Sequence, residues 1–215
     1  MTYRPLTNSP EAGSELTAPI AIMGGSFNPI HVGHLIIANY MAQNSELDEI
    51  WLVVSPHNPL KQKSNLLADH HRLAMVNIAI EGNQLLKSSD IEFKLQQPNY
   101  TVKTLAYLKE KYPQNNFSLI MGEDNIRTFH KWYNYEEILE NHKVYVYPRV
   151  LTEQELKSPI SEGLETVVSH PNVIRCEDVP VMKISSSQIR SIVNKGQSPE
   201  YLITEPVFKY MDEMN

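Results

Sequence analysis

Two histidines, His31 and His34, flank Gly33 in the stretch from Ile20 to Leu35, which reads IAIMGGSFNPIHVGHL. Residues three apart share one face of a helix, so both imidazoles can address a single group. A neutral imidazole donates one hydrogen bond and a protonated one donates two, which suits negative charge growing on phosphate oxygens in a transition state. Gly24 and Gly25 lie just ahead. Without side chains they let a polyphosphate approach the main chain, Ser26 and Phe27 continue the loop, and the helix start beyond it offers N–H groups and partial positive charge. Singly, each histidine reads as a helix cap, a packed ring or a metal ligand; as a pair in this loop they read as a phosphate site.

A second set of polar residues stands near the C-terminus, where Ser185, Ser186 and Ser187 precede Ile189 and Arg190. One serine can cap a helix while its neighbours present hydroxyls and N–H groups to phosphate, and Arg190 adds fixed charge one turn in. Alone, this is a plain helix cap. Lys61, and with less support Arg72, are cations able to reach outer phosphates, although Lys61 reads equally well as a solvated loop lysine.

The elements that must position these groups follow from apolar patterning. Ile20 to Met23 reads as a buried strand ended by the glycine pair, and Leu35, Ile36, Ala38 and Met41 fall at helical spacing from Val32 onward. Further strands are expected at Asp48–Val54, Asp90–Leu95, Phe117–Gly122, Val144–Tyr147 and Val173–Cys176. Helices are expected from Asp69 to Ile80, from a Thr101 cap to Tyr112, over Tyr135–Glu140, over Ser186–Val193 and over Pro199–Met211. Strands alternating with helices imply right-handed crossovers and an α/β, Rossmann-like doubly wound parallel sheet of five to six strands, with helices on both faces. Gly122-Glu123-Asp124-Asn125 then falls at a C-terminal strand edge, where such sheets bind ligands.

The chain has 215 residues, 41% of them hydrophobic, enough for one sizeable core, and residues 20–215 read as a single domain. Residues 1–19 are polar with three prolines and read as a flexible extension without the pattern of a secretory signal. A formal net charge of −6 gives no electrostatic basis for a nucleic-acid or anionic membrane surface. The lone Cys176 excludes an intramolecular disulfide, and with no apolar run of membrane length a cytoplasmic protein is expected. The sequence leaves oligomeric state open, a homo-oligomer included.

The string GGSFNPIHVGHL resembles the signature of the nucleotidyltransferase superfamily: a glycine pair, Phe, Asp or Asn, Pro, then His-x-Gly-His. Ile184-Ser185-Ser186-Ser187-Gln188-Ile189-Arg190 is similar to that superfamily's second signature, Ile-Ser-Ser-Thr-x-Ile-Arg. Between them, Gln97-Pro98-Asn99-Tyr100-Thr101-Val102-Lys103-Thr104-Leu105 looks like Pro-Ser-Tyr-Thr-x-x-Thr-Leu. Met121-Gly122-Glu123-Asp124-Asn125, followed by Phe129-His130-Lys131-Trp132, looks like Gly-x-Asp-x with a downstream Trp. Both resemble the bacterial nicotinate-nucleotide adenylyltransferases, and the likeness covers nearly all of residues 20–212. Asn28, Asn99 and Ser187 depart from the commoner Asp, small residue and Thr.

That resemblance implies transfer of AMP from ATP to nicotinate mononucleotide, releasing pyrophosphate. His31, His34 and Arg190 would then be catalytic. Gly24, Gly25, Ser26, Phe27, Lys61, Ser185, Ser186 and Ser187 would hold the nucleotide and its phosphates, with Asp124 on the adenosine side. Tyr100, Thr101 and Trp132 would contact the mononucleotide, where an aromatic face attracts a pyridinium ring by about 0.5–2 kcal/mol; Trp132 and Tyr100 have core packing as their plain alternative. Mg²⁺ is expected to arrive on the ATP phosphates, without a protein metal ligand. Nicotinamide mononucleotide or phosphopantetheine as acceptor, and a nucleotide sensor without turnover, are the alternatives. A dinucleotide-binding dehydrogenase lacks its Gly-x-Gly-x-x-Gly turn here.

Overall fold

The computed structural model describes residues 18–56, 66–150 and 163–214, so Lys61 and nearly all of the N-terminal extension lie outside the described residues. Among the described residues six strands, β1 (Pro19–Gly25), β2 (Glu49–Val54), β3 (Leu86–Ser89), β4 (Asn116–Gly122), β5 (Val144–Tyr147) and β6 (Val173–Arg175), form one parallel sheet. Their order is β3-β2-β1-β4-β5-β6. The α-helices among the described residues are α1 (Val32–Asn44), α2 (Asp69–Ile80), α3 (Thr101–Lys111), α4 (Glu123–Ile126), α5 (Tyr135–Asn141), α6 (Leu164–Val168), α7 (Ser186–Asn194) and α8 (Glu205–Glu213). None is long and apolar enough to cross a membrane.

Successive side chains on a strand face opposite ways, and β1 uses both faces. Ala21 and Met23 join one core with Ala38, Met75, Ile189 and Val207, from α1, α2, α7 and α8. Ile20 and Ile22 join the other with Leu105, Leu108, Ile138 and Val167, from α3, α5 and α6. A sheet covered on both sides needs apolar residues at every position, which is why β1, β2 and β5 read as unbroken apolar runs. The chain leaves β1 toward β2 on one side and returns to β4 on the other, so the connections diverge above the C-terminal ends of β1 and β4 and open a crevice there.

Four expectations are corrected. The strand expected at Asp90–Leu95 is a 3-10 turn at Ile91–Lys94, preceded by the edge strand β3. Its apolar alternation is real, but Phe93 N–H bonds the Asp90 carbonyl at 2.9 Å and Lys94 pairs with Asp90 at 3.1 Å, which closes the backbone into a turn. β3 itself, Leu-Lys-Ser-Ser, pairs on one side alone and carries too little apolar pattern to be read. Thr101 does not cap α3: the extended Tyr100 does, its carbonyl accepting from the N–H groups of Lys103 (2.9 Å) and Thr104 (3.1 Å). The last helix begins at Glu205 rather than Pro199, with Pro206 in its first turn, where a missing N–H costs nothing.

Arg72 is the fourth correction. Its side chain is fully buried, and its guanidinium is spent inside the chain. Nε donates to the Leu67 carbonyl (3.0 Å), Nη1 to the carbonyls of Ser26 (2.6 Å) and Ser55 (2.9 Å), and Nη2 to Asp69 Oδ1 (2.5 Å). Four of its five N–H donors are used within the chain, and a side chain with no exposed surface cannot reach a phosphate. The residue ties the loop after β1 to the end of β2 and the start of α2. Arg72→Met keeps the apolar stem but strands these acceptors, and should lower the unfolding free energy by about 3–5 kcal/mol in urea titrations. An unchanged midpoint would contradict the strut.

Candidate active site

β1 ends in the open crevice at Gly24 and Gly25, and the two glycines serve different ends. A Cβ at Gly24, which is exposed, would meet nothing within 4 Å, so there is room above the main chain for a ligand. A Cβ at Gly25 would lie 3.0 Å from the Phe27 ring. Phe27 sits at φ 43°, left-handed backbone that costs a non-glycine residue about 1–3 kcal/mol. Burial of its ring, 2% exposed, offsets that by about 1.5–3 kcal/mol, and the ring meets His34 edge-on at 5.0 Å.

His31 is the N-cap of α1 and forms a reciprocal pair with His34. His34 N–H donates to His31 Nδ1 (3.4 Å), and His31 N–H donates to His34 Nδ1 (3.3 Å). The imidazoles stack with centroids 3.6 Å apart and planes at 19°. Because each Nδ1 accepts a main-chain N–H, the proton of each ring in its neutral form sits on Nε2. Burial, followed by the nearby Arg149 charge, holds His31 down at a pKa of about 4, against a smaller opposing contribution from its own backbone. His31 is thus neutral near pH 7. Gly33 allows the arrangement, since a Cβ there would lie 3.0 Å from His31 Nδ1.

The start of α1 offers fewer amides than expected. Val32 N–H is taken by the Leu202 carbonyl (3.0 Å) and His34 N–H by His31. The C-terminal motif also acts partly within the chain. Ser185 caps α7 by accepting from Gln188 N–H (3.2 Å), and Ser186 Oγ donates to the Pro29 carbonyl (2.9 Å). Arg190 Nη1 donates to the Asn28 carbonyl (2.8 Å) and Nη2 to Ser187 Oγ (3.1 Å). Asn28 Oδ1 in turn accepts from Leu67 N–H (3.2 Å). These bonds clasp the histidine loop to a helix more than 150 positions away in sequence.

Across the crevice, Asp124 opens α4 directly after β4. Glycine before it leaves room for the carboxylate in this position, since a Cβ at Gly122 would fall 2.5 Å from Asp124 Oδ1 and push it aside. Asp124 Oδ2 pairs with Arg149 Nη1 at 2.7 Å. Arg149 follows β5 at the same sheet edge and its charge reaches His31, so it belongs to the site, although sequence reading missed it. The available signal was a cation directly after a buried strand, Val-Tyr-Val-Tyr-Pro-Arg.

Tyr100, at the start of α3, and Trp132, just after the 3-10 turn Phe129–Lys131, pack against the same core. The Tyr100 ring meets that of Tyr133, a second residue that sequence reading missed, with centroids 4.9 Å apart and planes tilted by 40°. The half-buried Trp132 packs on Phe129 at 5.2 Å, and its buried Nε1 has no hydrogen-bond partner among the described residues. Thr101 is half-buried in the first turn of α3. Asn99 is a buried brace whose Nδ2 donates to the Glu92 carbonyl (2.9 Å), while Thr104 Oγ1 donates to Glu92 Oε1 (2.9 Å). Burial pushes the Glu92 carboxyl pKa up against the hydrogen bonds from Ser55 and Thr104.

A crevice with a neutral His31 stacked on His34, an open glycine edge, two arginines and aromatic side chains can bind and polarise a phosphate chain beside a flat ring. Comparison with known proteins agrees with that chemistry. Residues 22–192 match the family described as cytidylyltransferase-like. A protein of Flavobacterium johnsoniae named as a probable nicotinate-nucleotide adenylyltransferase is 54% identical over 196 residues, 91% of this chain and 97% of that one. One of the same name from Bacteroides fragilis is 42% identical over 87% of this chain and 88% of its own. In fold, the chain is similar to Plasmodium falciparum nicotinic acid mononucleotide adenylyltransferase complexed with NaAD, with a TM-score of 0.72 at 22% identity over 92% of this chain and 96% of that one. Identity of this extent over nearly the whole chain, with both signature motifs converging on one crevice, places the chain in the nicotinate-nucleotide adenylyltransferase family of cytidylyltransferase-like proteins.

Proposed function

We propose that this chain transfers AMP from ATP to nicotinate mononucleotide, giving nicotinate adenine dinucleotide and pyrophosphate, in the synthesis of NAD. The observation that carries this reading is the stacked, mutually capped His31–His34 pair beside the open Gly24 edge. A phosphate oxygen of the mononucleotide attacks the α-phosphorus of ATP, a new P–O–P link forms, and the α–β bridge breaks with its electron pair leaving on pyrophosphate. The attacking group is already anionic, so the work is positioning and charge stabilisation.

In this mechanism the two Nε2–H donors face the α-phosphate, where charge grows. Removing one such preorganised donor typically costs about 100- to 1000-fold in kcat. Arg190 keeps the loop in register and adds its charge to the outer phosphates, with Ser187 beside it. Lys61, outside the described residues, supplies further charge to the same end. Asp124, oriented by Arg149, takes the adenosine side, and Tyr100, Thr101 and Trp132 take the pyridine ring. Mg²⁺ would arrive on the ATP phosphates with several of its waters. When bound it neutralises phosphate charge. The reaction fits a cytoplasmic setting and small-molecule substrates rather than nucleic acid.

Two measurements test this. With Mg·ATP and nicotinate mononucleotide, nicotinamide mononucleotide or phosphopantetheine supplied in parallel, pyrophosphate and dinucleotide should appear in equal amounts, fastest with the nicotinate form. Turnover of phosphopantetheine alone, or of none, would overturn the assignment. The second is a ring-nitrogen NMR titration, in which His31 should remain the neutral Nε2–H tautomer down to about pH 4. Since its folded pKa lies below the ordinary value of 6.5, His31 leaves stability unchanged above about pH 6.5. Between there and pH 4 it lowers stability on acidification, by at most about 3 kcal/mol. A His31 midpoint near 6.5 would contradict the buried, neutral donor.

A further inference from the structure

Lys103 is the third residue of α3, and its ammonium is held above two aromatic rings, with Nζ 5.5 Å from the centroid of Tyr100 and 5.9 Å from that of Tyr133. A side chain at this position leans back toward the helix N-terminus, which places it over Tyr100 three residues earlier. Local electrostatics oppose a cation here, because the N-terminus of a helix is itself positive and the first turn of α3 contains no acidic residue. No carboxylate among the described residues pairs with it. Tyr100 and Trp132 pack against the same core and Tyr133 directly follows Trp132, so the charge stands beside the aromatic residues assigned to the pyridine ring.

A cation beside those residues distinguishes two otherwise similar ligands. The amide form of the mononucleotide brings a pyridinium charge and a neutral carboxamide, so Lys103 repels it. The acid form brings the same pyridinium together with a carboxylate, which Lys103 attracts. Resting on the functional reading above, we propose that Lys103 is a specificity residue, setting the preference of this chain for the acid over the amide by its charge.

The test compares kcat/KM for nicotinate and nicotinamide mononucleotides in wild-type enzyme and in Lys103→Gln, Lys103→Arg and Lys103→Glu, each with saturating Mg·ATP. The acid-to-amide ratio should fall about three- to tenfold in Lys103→Gln, the scale of a partly screened ion pair, stay within twofold in Lys103→Arg, and fall further in Lys103→Glu. Raising ionic strength from about 0.05 to about 0.5 M should narrow the wild-type ratio and leave that of Lys103→Gln unchanged. Loss of packing alone lowers both substrates together and leaves the ratio where it was. A ratio unchanged in both the Gln and Glu variants, with wild type still preferring the acid, overturns the role of Lys103. A wild type without preference for the acid overturns the substrate reading itself.

Discussion

The reciprocal bonding of His31 and His34 is the constraint on which the rest of the site depends. A helix start leaves amides unpartnered, and here two imidazoles take up two main-chain N–H groups between them. Those bonds are long, 3.3 and 3.4 Å, so stacking at 3.6 Å and burial of His31 share the work of fixing the rings. Capping therefore does more than stabilise α1. It commits each Nδ1, and so aims chemistry through Nε2.

Fixing two rings to within a few tenths of an ångström requires a rigid loop beneath them, and the chain supplies it from three distant places. Arg72 holds Ser26 from α2, Arg190 and Ser186 hold Asn28 and Pro29 from α7, and Leu202 takes the first amide of α1. Each contact joins main-chain carbonyls or amides rather than the histidine side chains. A loop anchored through its backbone keeps its shape while its side chains face a ligand. This organisation also accounts for a second signature near the C-terminus whose hydroxyls and guanidinium partly face inward.

Much of this was legible in the sequence because the signals were local. The parallel sheet follows from apolar runs at β1, β2, β4 and β5, and the histidine loop from a glycine turn followed by helical spacing. What stayed hidden depends on contacts across the fold. Arg72 has the sequence context of a surface helix cation, and only the meeting of Ser26, Ser55 and Leu67 around it makes it a buried strut. Arg149 joins Asp124 and His31 because β5 lies next to β4 in the sheet, an adjacency that no local pattern encodes. Asn99, a departure from the commoner small residue, is accommodated by a buried bond to Glu92.

The most direct test of the account separates binding from turnover at His34. In His34→Ala and His34→Asn, the second of which retains an oxygen able to cap the loop, kcat should fall by about 100-fold or more while the Kd for Mg·ATP stays within a few-fold of wild type. A kcat near wild type in either variant, or a loss confined to ATP affinity, would contradict the assignment of the pair to charge stabilisation in the transition state.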